Sequence, residues 1–353
     1  MRNIEKILLV RLGSLGDLMH ALPAQQYLHR RFPDSEIHWL TDQYYASLLK
    51  CVPGLDRIWV TDLRSLSAGI RSLNSLVLLV RDLRKQKFDL SFDFQGLLKS
   101  AVLARLSGAR RLRGFTPERF KEKGSEFFYD EQIGGEGDLK RHVIDGNLEL
   151  VGKLAGQREA SPEIKFQIPR PDENHIKEEL KRREIRNPIL INPGAGWVTK
   201  RWPAQKYGRL AGMLIEKLRV PVVVTYGPGE ESLVDSMRTA CPQGELIAFP
   251  TTIVQLIALC LRSRLMIAGD CGPLHLAVAS STPTVAIMGP TSPSRNGPYS
   301  PQDEVVKRSS PCSNSYRRKR TKLICMDIKV ESVFDAVLHR LAKIKDSSIE
   351  DLR

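Results

Sequence analysis

The chain of 353 residues lacks the features of a membrane-spanning or secreted protein. Its apolar runs fall well short of the roughly 20 residues that a transmembrane helix needs. The short apolar run near the N-terminus leads directly into Arg11 and a glycine loop, a pattern unlike a secretory signal. We therefore expect a cytoplasmic protein that is long enough for two domains, each with its own hydrophobic core.

Familiar cysteine and nucleotide motifs are also missing. None of the six cysteines forms a C-x-x-C pair, which disfavours a zinc knuckle or a thioredoxin-type site. Cys312 and Cys325 flank a loop and leave open a disulfide or a metal site, although cytosolic disulfides are rare. The chain has no P-loop and no Asp-x-Asp tripeptide, so we expect no dedicated metal site for a diphosphate and no cofactor.

Acidic residues are too few to balance the basic ones: 40 Asp and Glu face 54 Lys and Arg, a net charge of +14. Such an excess predicts an anionic partner, either nucleic acid, lipid headgroups or a phosphorylated substrate. Part of it forms a basic segment, made up of Lys99, Arg105, Arg110, Arg111, Arg113, Arg119, Lys121 and Lys123. This segment is either an ordinary solvated surface or a landing surface for an anionic acceptor or a membrane. Nucleic acid is the weaker alternative, because aromatic residues are few there and no nucleic-acid motif appears.

The order of apolar segments predicts an α/β fold. Short apolar strands alternate with amphipathic helices in both halves, which is the pattern of a parallel sheet covered on both faces. A stretch rich in proline and charge, from about residue 157 to 187, separates the halves. We expect domains at 1–170 and 171–328, followed by a C-terminal segment, 329–353, that contains a helix.

The first strand, a glycine loop and a helix form one unit at the N-terminus. Ile7–Val10 is typical of a buried strand, and Arg11–Gly16 is a loop whose glycines permit close approaches. Asp17 then opens the helix, at the sheet edge where ligands gather. It is either a helix-capping acid or a general base. A helix N-terminus weakens a base, and we expect partial burial, or His20 one turn along, to offset this.

Three loops in the second half follow predicted strands and should converge at one sheet edge. Gly194–Gly196 lets backbone N–H groups face a phosphate, with the cation of Lys200 close by. The Gly272–Pro273 step starts a helix whose N-terminus offers a second anion site. Glu230 or Glu231 is suited to accept hydrogen bonds from ribose hydroxyls. Each loop alone is common chemistry, but together they favour a nucleotide-diphosphate site.

Five segments resemble the bacterial lipopolysaccharide heptosyltransferases of glycosyltransferase family nine. They are RLGSLGDLMHALPA (11–24), DFQGLLKSAVLARLSG (93–108), NPGAGWVTKRWP (192–203), GDCGPLHLA (269–277) and GPTSPSRNGPY (289–299). The matches run in order over nearly the whole chain. The opening segment, with His20 and Pro23, resembles the first heptosyltransferase of the pathway more than the second.

The resemblance implies a GT-B fold, in which two Rossmann-like doubly wound domains face each other and a C-terminal helix crosses back to the first. It implies an inverting, metal-independent transfer of L-glycero-D-manno-heptose from ADP-heptose to a Kdo sugar of the lipopolysaccharide inner core. The N-terminal domain would bind an anionic lipid A–Kdo acceptor at the inner-membrane surface, and the C-terminal domain the donor. We expect a monomer, peripheral to the inner membrane, with no nucleic-acid partner.

Carried over residue by residue, the resemblance assigns roles to individual side chains. Asp17 matches the general base, Lys200 the lysine that binds the diphosphate, and Asp270 the acid that contacts the donor sugar. The implied donor-binding set is Gly194, Ala195, Gly196, Lys200, Glu230, Asp270, Gly272, Pro273, Leu274 and His275. The implied acceptor-binding set is Ser14, Gly16, Gln95, Lys99 and Arg113.

One departure and three alternatives stay open. Cys271 stands where the family usually has Thr or Ser, so a weak donor replaces a hydroxyl and the donor sugar is uncertain. The chain could use another core acceptor or donor sugar, or be a sugar-nucleotide epimerase of the same two-domain fold. It could also be a non-catalytic module that docks on membranes or nucleic acid through basic residues such as Arg317–Lys322. The fold alone does not separate these, because function depends on the site.

Overall fold

The chain folds into two compact units, residues 1–167 and 168–353. The structure, a computed structural model, describes residues 4–62, 70–119, 124–134, 140–152, 164–241, 246–316 and 324–350. Each unit contains one six-stranded sheet in which every strand pairs in parallel with its neighbours. The predicted α/β class with two doubly wound sheets is confirmed, and the units divide three residues before the predicted boundary.

The first unit has a Rossmann-like strand order. Its strands are β1 (Lys6–Val10), β2 (Glu36–Asp42), β3 (Arg57–Thr61), β4 (Leu90–Asp93), β5 (Arg111–Phe115) and β6 (Glu131–Ile133). Its helices are α1 (Leu15–Arg31), α2 (Ala46–Leu49), α3 (Ile70–Lys85), α4 (Leu98–Leu106) and α5 (Val143–Leu150). The order is β3-β2-β1-β4-β5-β6, so the loops that follow β1 and β4 meet at the switch point of the sheet.

The second unit repeats this order. Its strands are β7 (Ile189–Asn192), β8 (Val222–Tyr226), β9 (Ile247–Pro250), β10 (Leu265–Gly269), β11 (Thr284–Met288) and β12 (Glu304–Lys307). Its helices are α6 (Arg170–Arg182), α7 (Ala204–Leu218), α8 (Glu231–Thr239), α9 (Ile253–Cys260), α10 (Gly272–Ala279), α11 (Pro293–Asn296) and α12 (Val330–Glu350). The order is β12-β11-β10-β7-β8-β9, which places the loops after β7 and β10 side by side.

Burial explains which elements could be predicted from the sequence. Every residue of β10 and β11 is buried, because helices cover both faces of a parallel sheet. The edge strands β6 and β12 and the helix α5 were not predicted. In β12 the burial alternates along the strand, and β6 has three partly exposed or exposed residues, so neither carries a continuous apolar run.

Helix α12 packs against α7, β11 and β12 of its own unit. A buried ion pair joins it to the sheet, since Arg340 Nε lies 2.9 Å from Asp303 Oδ1 and the two side chains are only 8% and 4% exposed. Asp303 Oδ1 also accepts a hydrogen bond from the backbone N–H of Thr284 at 2.8 Å. The predicted helix is therefore present, while its return to the first domain stays a prediction.

All six cysteines lie in the described ranges and are buried as thiols. The backbone N–H of Cys325 donates to Cys312 Sγ at 3.2 Å, so the suggested disulfide between these two residues is not formed. Within the described residues, no helix combines the length and the apolar character needed to cross a bilayer. The basic loop 317–322 lies outside the described residues.

Candidate active site

The loop between β1 and α1 presents Asp17 at the carboxyl edge of the first sheet. Helix α1 begins at Leu15 with Ser14 as its N-cap, so Asp17 lies within the first turn rather than at the helix start. The backbone N–H and the Oγ of Ser14 donate to Asp17 Oδ2 at 3.1 and 2.9 Å. Arg11 Nη2 lies 2.6 Å from the same oxygen. The Asp17 side chain is still 37% exposed, so it is both held in place and reachable.

Its surroundings make Asp17 a strong acid. Desolvation alone raises the pKa of Asp17, but the charges of Arg11 and His20 and the hydrogen bonds from Ser14 lower that pKa to about 2. Partial burial thus acts in the predicted direction but is outweighed. The prediction that His20 offsets the helix terminus is wrong, because a positive charge on its ring favours the carboxylate.

His20 itself serves the packing of the first unit. Its side chain is buried, and its ring meets the ring of His142 edge-on, with the centroids 5.6 Å apart. Its carbonyl oxygen accepts a hydrogen bond from Asn147 Nδ2 of α5 at 2.8 Å. These contacts join α1 to α5.

The predicted acceptor residues are only partly gathered around Asp17. Ser14 and Gly16 belong to the α1 N-terminus, and Gln95 in the β4–α4 loop accepts a hydrogen bond from the backbone N–H of Leu12 at 2.8 Å. Lys99 lies exposed in the first turn of α4. Arg113 sits within β5, where its Nε lies 2.7 Å from Glu131 Oε2 on the neighbouring strand. Gln95 thus supports the loop before Asp17, and Arg113 is occupied by a cross-strand ion pair.

A buried carboxylate, which the sequence reasoning missed, organises the β4–α4 loop. Asp93 Oδ1 accepts hydrogen bonds from the backbone N–H groups of Gln95 and Gly96 at 2.8 and 3.2 Å. Its Oδ2 accepts from Ser100 Oγ at 2.8 Å and from the Tyr129 hydroxyl at 2.9 Å. Burial raises the pKa of Asp93, and these donors oppose that rise. The available signal was an acid at the last position of a buried strand.

Most described arginines of the basic segment form ion pairs within the first unit. Arg105 Nη2 lies 2.9 Å from Asp130 Oδ1, and Arg110 Nη1 lies 3.7 Å from Asp89 Oδ1. Arg111 pairs with the same acid as Arg113, since Arg111 Nη1 lies 3.8 Å from Glu131 Oε1. Lys121 and Lys123, and the side chain of Arg119, lie outside the described residues. Acidic residues of the same unit therefore neutralise much of the positive charge of this segment.

In the second unit, three predicted donor residues form one cluster. Lys200 Nζ lies 2.7 Å from Asp270 Oδ2, and His275 Nε2 lies 3.0 Å from Asp270 Oδ1. The Asp270 side chain is only 4% exposed. Desolvation raises the pKa of Asp270, but His275 and Lys200 outweigh it and hold that pKa well below its usual range. Lys200 Nζ also lies 4.5 Å from the centre of the Trp197 ring, a cation–π contact.

The structure places Glu230, rather than Glu231, against the glycine loop that follows β7. A Cβ added to Gly194 would overlap the Glu230 carboxylate, so a larger residue there would force the Glu230 side chain to move. Glu230 Oε2 accepts a hydrogen bond from the Gly227 N–H at 2.9 Å. At Gly196 an added Cβ would meet no atom within 4 Å. The two glycines therefore differ: the first makes room for an acid and the second borders open space.

The remaining donor residues lie at the start of α10 and in the glycine loop. Gly272 and Pro273 are half-buried, whereas the side chains of Leu274 and His275 are buried. Ala195 is also buried, and its carbonyl oxygen accepts a hydrogen bond from Arg201 Nε at 3.0 Å.

Cys271, the departure from the family pattern, is the N-cap residue of α10. Its Sγ lies 3.8 Å from Asn192 Oδ1, to which it donates a weak hydrogen bond. Burial raises the pKa of the Cys271 thiol to about 12, so it is neutral at physiological pH.

Two Rossmann-like units, with an acid at the switch point of one sheet and a Lys–Asp–His cluster at the switch point of the other, are typical of the GT-B class of glycosyltransferases. Sequence comparison makes the family specific. The model of glycosyltransferase family 9 (heptosyltransferase) matches residues 77–324, and the chain belongs to this family.

Known relatives cover nearly the whole chain. Lipopolysaccharide heptosyltransferase 1 of Campylobacter coli is 24% identical over 343 residues, which are 94% of this chain and 98% of that protein. Lipopolysaccharide heptosyltransferase 1 of Pseudomonas aeruginosa is 24% identical over 326 residues, 90% of this chain and 87% of that one.

Solved structures confirm the fold. ADP-heptose lipopolysaccharide heptosyltransferase II of Escherichia coli has a TM-score of 0.78 at 19% identity and covers 96% of this chain and 99% of its own. A glycosyltransferase family 9 protein of Veillonella parvula has a TM-score of 0.80 at 20% identity, with 97% and 99% covered. A UDP-N-acetylglucosamine 2-epimerase described from Listeria monocytogenes is less similar, with a TM-score of 0.53. The epimerase alternative is therefore not favoured.

Proposed function

We propose that this protein transfers L-glycero-D-manno-heptose from ADP-heptose to a Kdo sugar of the lipopolysaccharide inner core, with inversion and without a metal ion or cofactor. The observation that carries the proposal is the cluster of Lys200, Asp270 and His275, in a chain of the heptosyltransferase family. Relatives named lipopolysaccharide heptosyltransferase 1 support this choice of sugar and pathway. The resemblance of the opening segment to the first enzyme of the pathway favours Kdo as the acceptor.

In the proposed reaction, Asp17 accepts the proton of an acceptor hydroxyl while the oxygen of that hydroxyl forms a bond to the anomeric carbon of heptose. The bond between this carbon and the β-phosphate oxygen breaks, and its electron pair leaves with ADP. Attack from the face opposite ADP inverts the anomeric centre. A carboxylate with a pKa near 2 is a weak base, so it takes the proton late, when the new bond has made the hydroxyl strongly acidic.

The second unit supplies the proposed donor site. Lys200 and the N-terminus of α10 would offset the charge that develops on the leaving diphosphate. Asp270, held by His275 on its other oxygen, would bind heptose hydroxyls once Lys200 contacts phosphate. Glu230, lodged against Gly194, would accept hydrogen bonds from the ribose. Cys271 would present a neutral thiol beside this site.

We also propose that the protein works at the surface of an anionic membrane, where a lipid acceptor resides. The Phe127 side chain is 87% exposed, in a turn whose Ser125 Oγ donates to the carbonyl oxygen of Gly96 at 3.2 Å. Leu98, 41% exposed, and the exposed Lys99 lie in the first turn of α4, a helix that packs against this turn. Apolar groups beside a cation suit the boundary between headgroups and acyl chains.

The reaction is tested by measuring ADP release from ADP-heptose, with and without a de-acylated Kdo acceptor. We expect release that depends on the acceptor and that falls by about 10²–10⁴-fold in Asp17→Ala, because a general base is lost. ADP binding should persist in this variant. Asp82→Ala, which removes an exposed acid from α3, is the matched control.

Several outcomes would contradict the proposal. Conversion of ADP-heptose without acceptor would indicate an epimerase. Near-normal turnover of Asp17→Ala would remove Asp17 as the base, and retention of anomeric configuration in the product, read by NMR, would exclude the inverting step.

A further inference from the structure

The guanidinium of Arg11 connects Asp17 to the loop that follows β4. Its Nη2 lies 2.6 Å from Asp17 Oδ2, and its Nη1 donates to the carbonyl oxygen of Phe94. The Arg11 side chain is only 12% exposed. It is therefore fixed at both ends of the guanidinium rather than extended into solvent.

The contacts to Asp17 are unequal between its two oxygens. Arg11 Nη2, the Ser14 N–H and Ser14 Oγ all converge on Oδ2. Each of these three contacts is made to Oδ2 and not to Oδ1. The side chain as a whole is 37% exposed.

The support for Arg11 is itself rigid. Asp93 binds the backbone N–H groups of Gln95 and Gly96, which immediately follow the Phe94 carbonyl. Gln95 Oε1 in turn accepts from the N–H of Leu12, the neighbour of Arg11. The β4–α4 loop is thus hydrogen-bonded to two adjacent residues of the β1–α1 loop, Arg11 and Leu12, and these bonds determine where the guanidinium lies.

We propose that Arg11 is a positioning residue, which fixes Asp17 through Oδ2 so that Oδ1 receives the proton of the acceptor hydroxyl. This inference rests on the proposed function, since it specifies how the base of that reaction is oriented. Arg11 lowers the basicity of Asp17 and in exchange limits its rotation about the side-chain bonds. Misplacing a catalytic group by about 1 Å can cost roughly 100-fold in rate.

The two effects of Arg11 have opposite signs and are separable by pH. Removing the guanidinium should raise the pKa of Asp17 from about 2 toward its ordinary value of 3.8, because an opposite charge no longer favours the carboxylate. At pH 7.5 Asp17 is ionised in either case. A loss of rate at that pH therefore reports orientation and not protonation.

The test compares Arg11→Met and Arg11→Lys with the unaltered protein. We expect kcat at pH 7.5 to fall by about 10-fold to 100-fold in Arg11→Met, with partial recovery in Arg11→Lys and unchanged ADP affinity. The carboxyl carbon of Asp17, followed by NMR, should titrate at higher pH in Arg11→Met. Arg308→Met is the matched control, because Arg308 likewise contacts both an Asp carboxylate and a backbone carbonyl oxygen, in this case those of Asp327.

Two results would overturn the inference. If kcat of Arg11→Met stays within twofold of that of the unaltered protein while the pKa of Asp17 rises, Arg11 influences the pKa of Asp17 but not its orientation. If the titration does not move, the ion pair is not formed in solution. Arg11→Lys gives both readouts should Arg11→Met fold poorly. The titration needs no substrate, so it tests the contact between Arg11 and Asp17 even if the protein transfers no heptose. A failure to transfer heptose would contradict the proposed function alone.

Discussion

The two units share one strand order but use their central acids differently. Asp17 in the first unit is 37% exposed and is held through a single oxygen. Asp270 in the second unit is 4% exposed, and both of its oxygens are engaged, by Lys200 and His275. The same fold thus holds one carboxylate that is partly exposed and contacted on one oxygen, and another that is buried and paired with a cation. A lowered pKa, which both acids share, does not by itself distinguish these roles.

The most direct test of this difference between the two acids is to remove the cation that pairs with Asp270, the ammonium group of Lys200. In Lys200→Met we expect ADP affinity to fall by roughly tenfold to 100-fold, the range for hydrogen bonds to charged groups. The rate should fall as well, while the Asp17 titration stays unchanged. Calorimetry with ADP and the NMR titration measure the two effects.

Lys206→Met is the control, because Lys206 is also paired with an acid of the second unit, Asp327, at 2.8 Å. Unchanged ADP affinity in Lys200→Met would show that the diphosphate binds elsewhere.

A smaller change tests the glycine loop. In Gly194→Ala the new methyl group displaces the Glu230 carboxylate, and we expect ADP affinity to fall by roughly fivefold, the lower range for overpacking. The control is the same substitution in a Glu230→Ala background, where the methyl group has no carboxylate to displace and should cost no further affinity. An ADP affinity of Gly194→Ala equal to that of the unaltered protein, measured by calorimetry, would argue against a contact between Glu230 and the nucleotide.

The smallest effect concerns the surface of the first unit. Phe127→Ser should weaken co-sedimentation with phosphatidylglycerol-containing vesicles by about threefold, because partial burial of one aromatic ring is lost. Leu261→Ser, at an exposed apolar position of the second unit, should bind as the unaltered protein does. If Phe127→Ser and Leu261→Ser bind equally well, this turn is not the membrane contact.

Much of the fold was predictable because the buried strands are continuous apolar runs. β1 was predicted as Ile7–Val10 and runs from Lys6 to Val10. The start of α1 was misplaced by two residues, because the helix begins at Leu15, directly after the N-cap residue Ser14, and Asp17 lies in its first turn. In short edge strands such as β12, half-buried and exposed residues alternate and none is fully buried, so their sequences resemble those of loops.

The candidate site was predictable in its residue types but not in its contacts. Lys200 and Asp270 were both identified, yet their mutual ion pair depends on two loops far apart in sequence that the topology brings together. Arg11 and Asp17 are only six residues apart, but their pairing depends on the loop path, which Gln95 and Asp93 determine. The close approach of the Glu230 carboxylate to Gly194 could not be predicted, because it depends on how the loops after β7 and β8 lie together, while the approach of a phosphate to Gly194 stays a prediction.

The burial of all six cysteines makes it possible to measure how often the interior of each unit is transiently exposed to solvent. Burial raises the pKa of the Cys260 and Cys271 thiols to about 12, so these two thiols form almost no reactive thiolate at pH 8, and the other four cysteines are also buried. A maleimide would therefore react only as fast as each unit transiently exposes its interior. Since Cys51 belongs to the first unit and the other five cysteines to the second, mass spectrometry of the labelled peptides would time the opening of each unit separately, without any engineered probe.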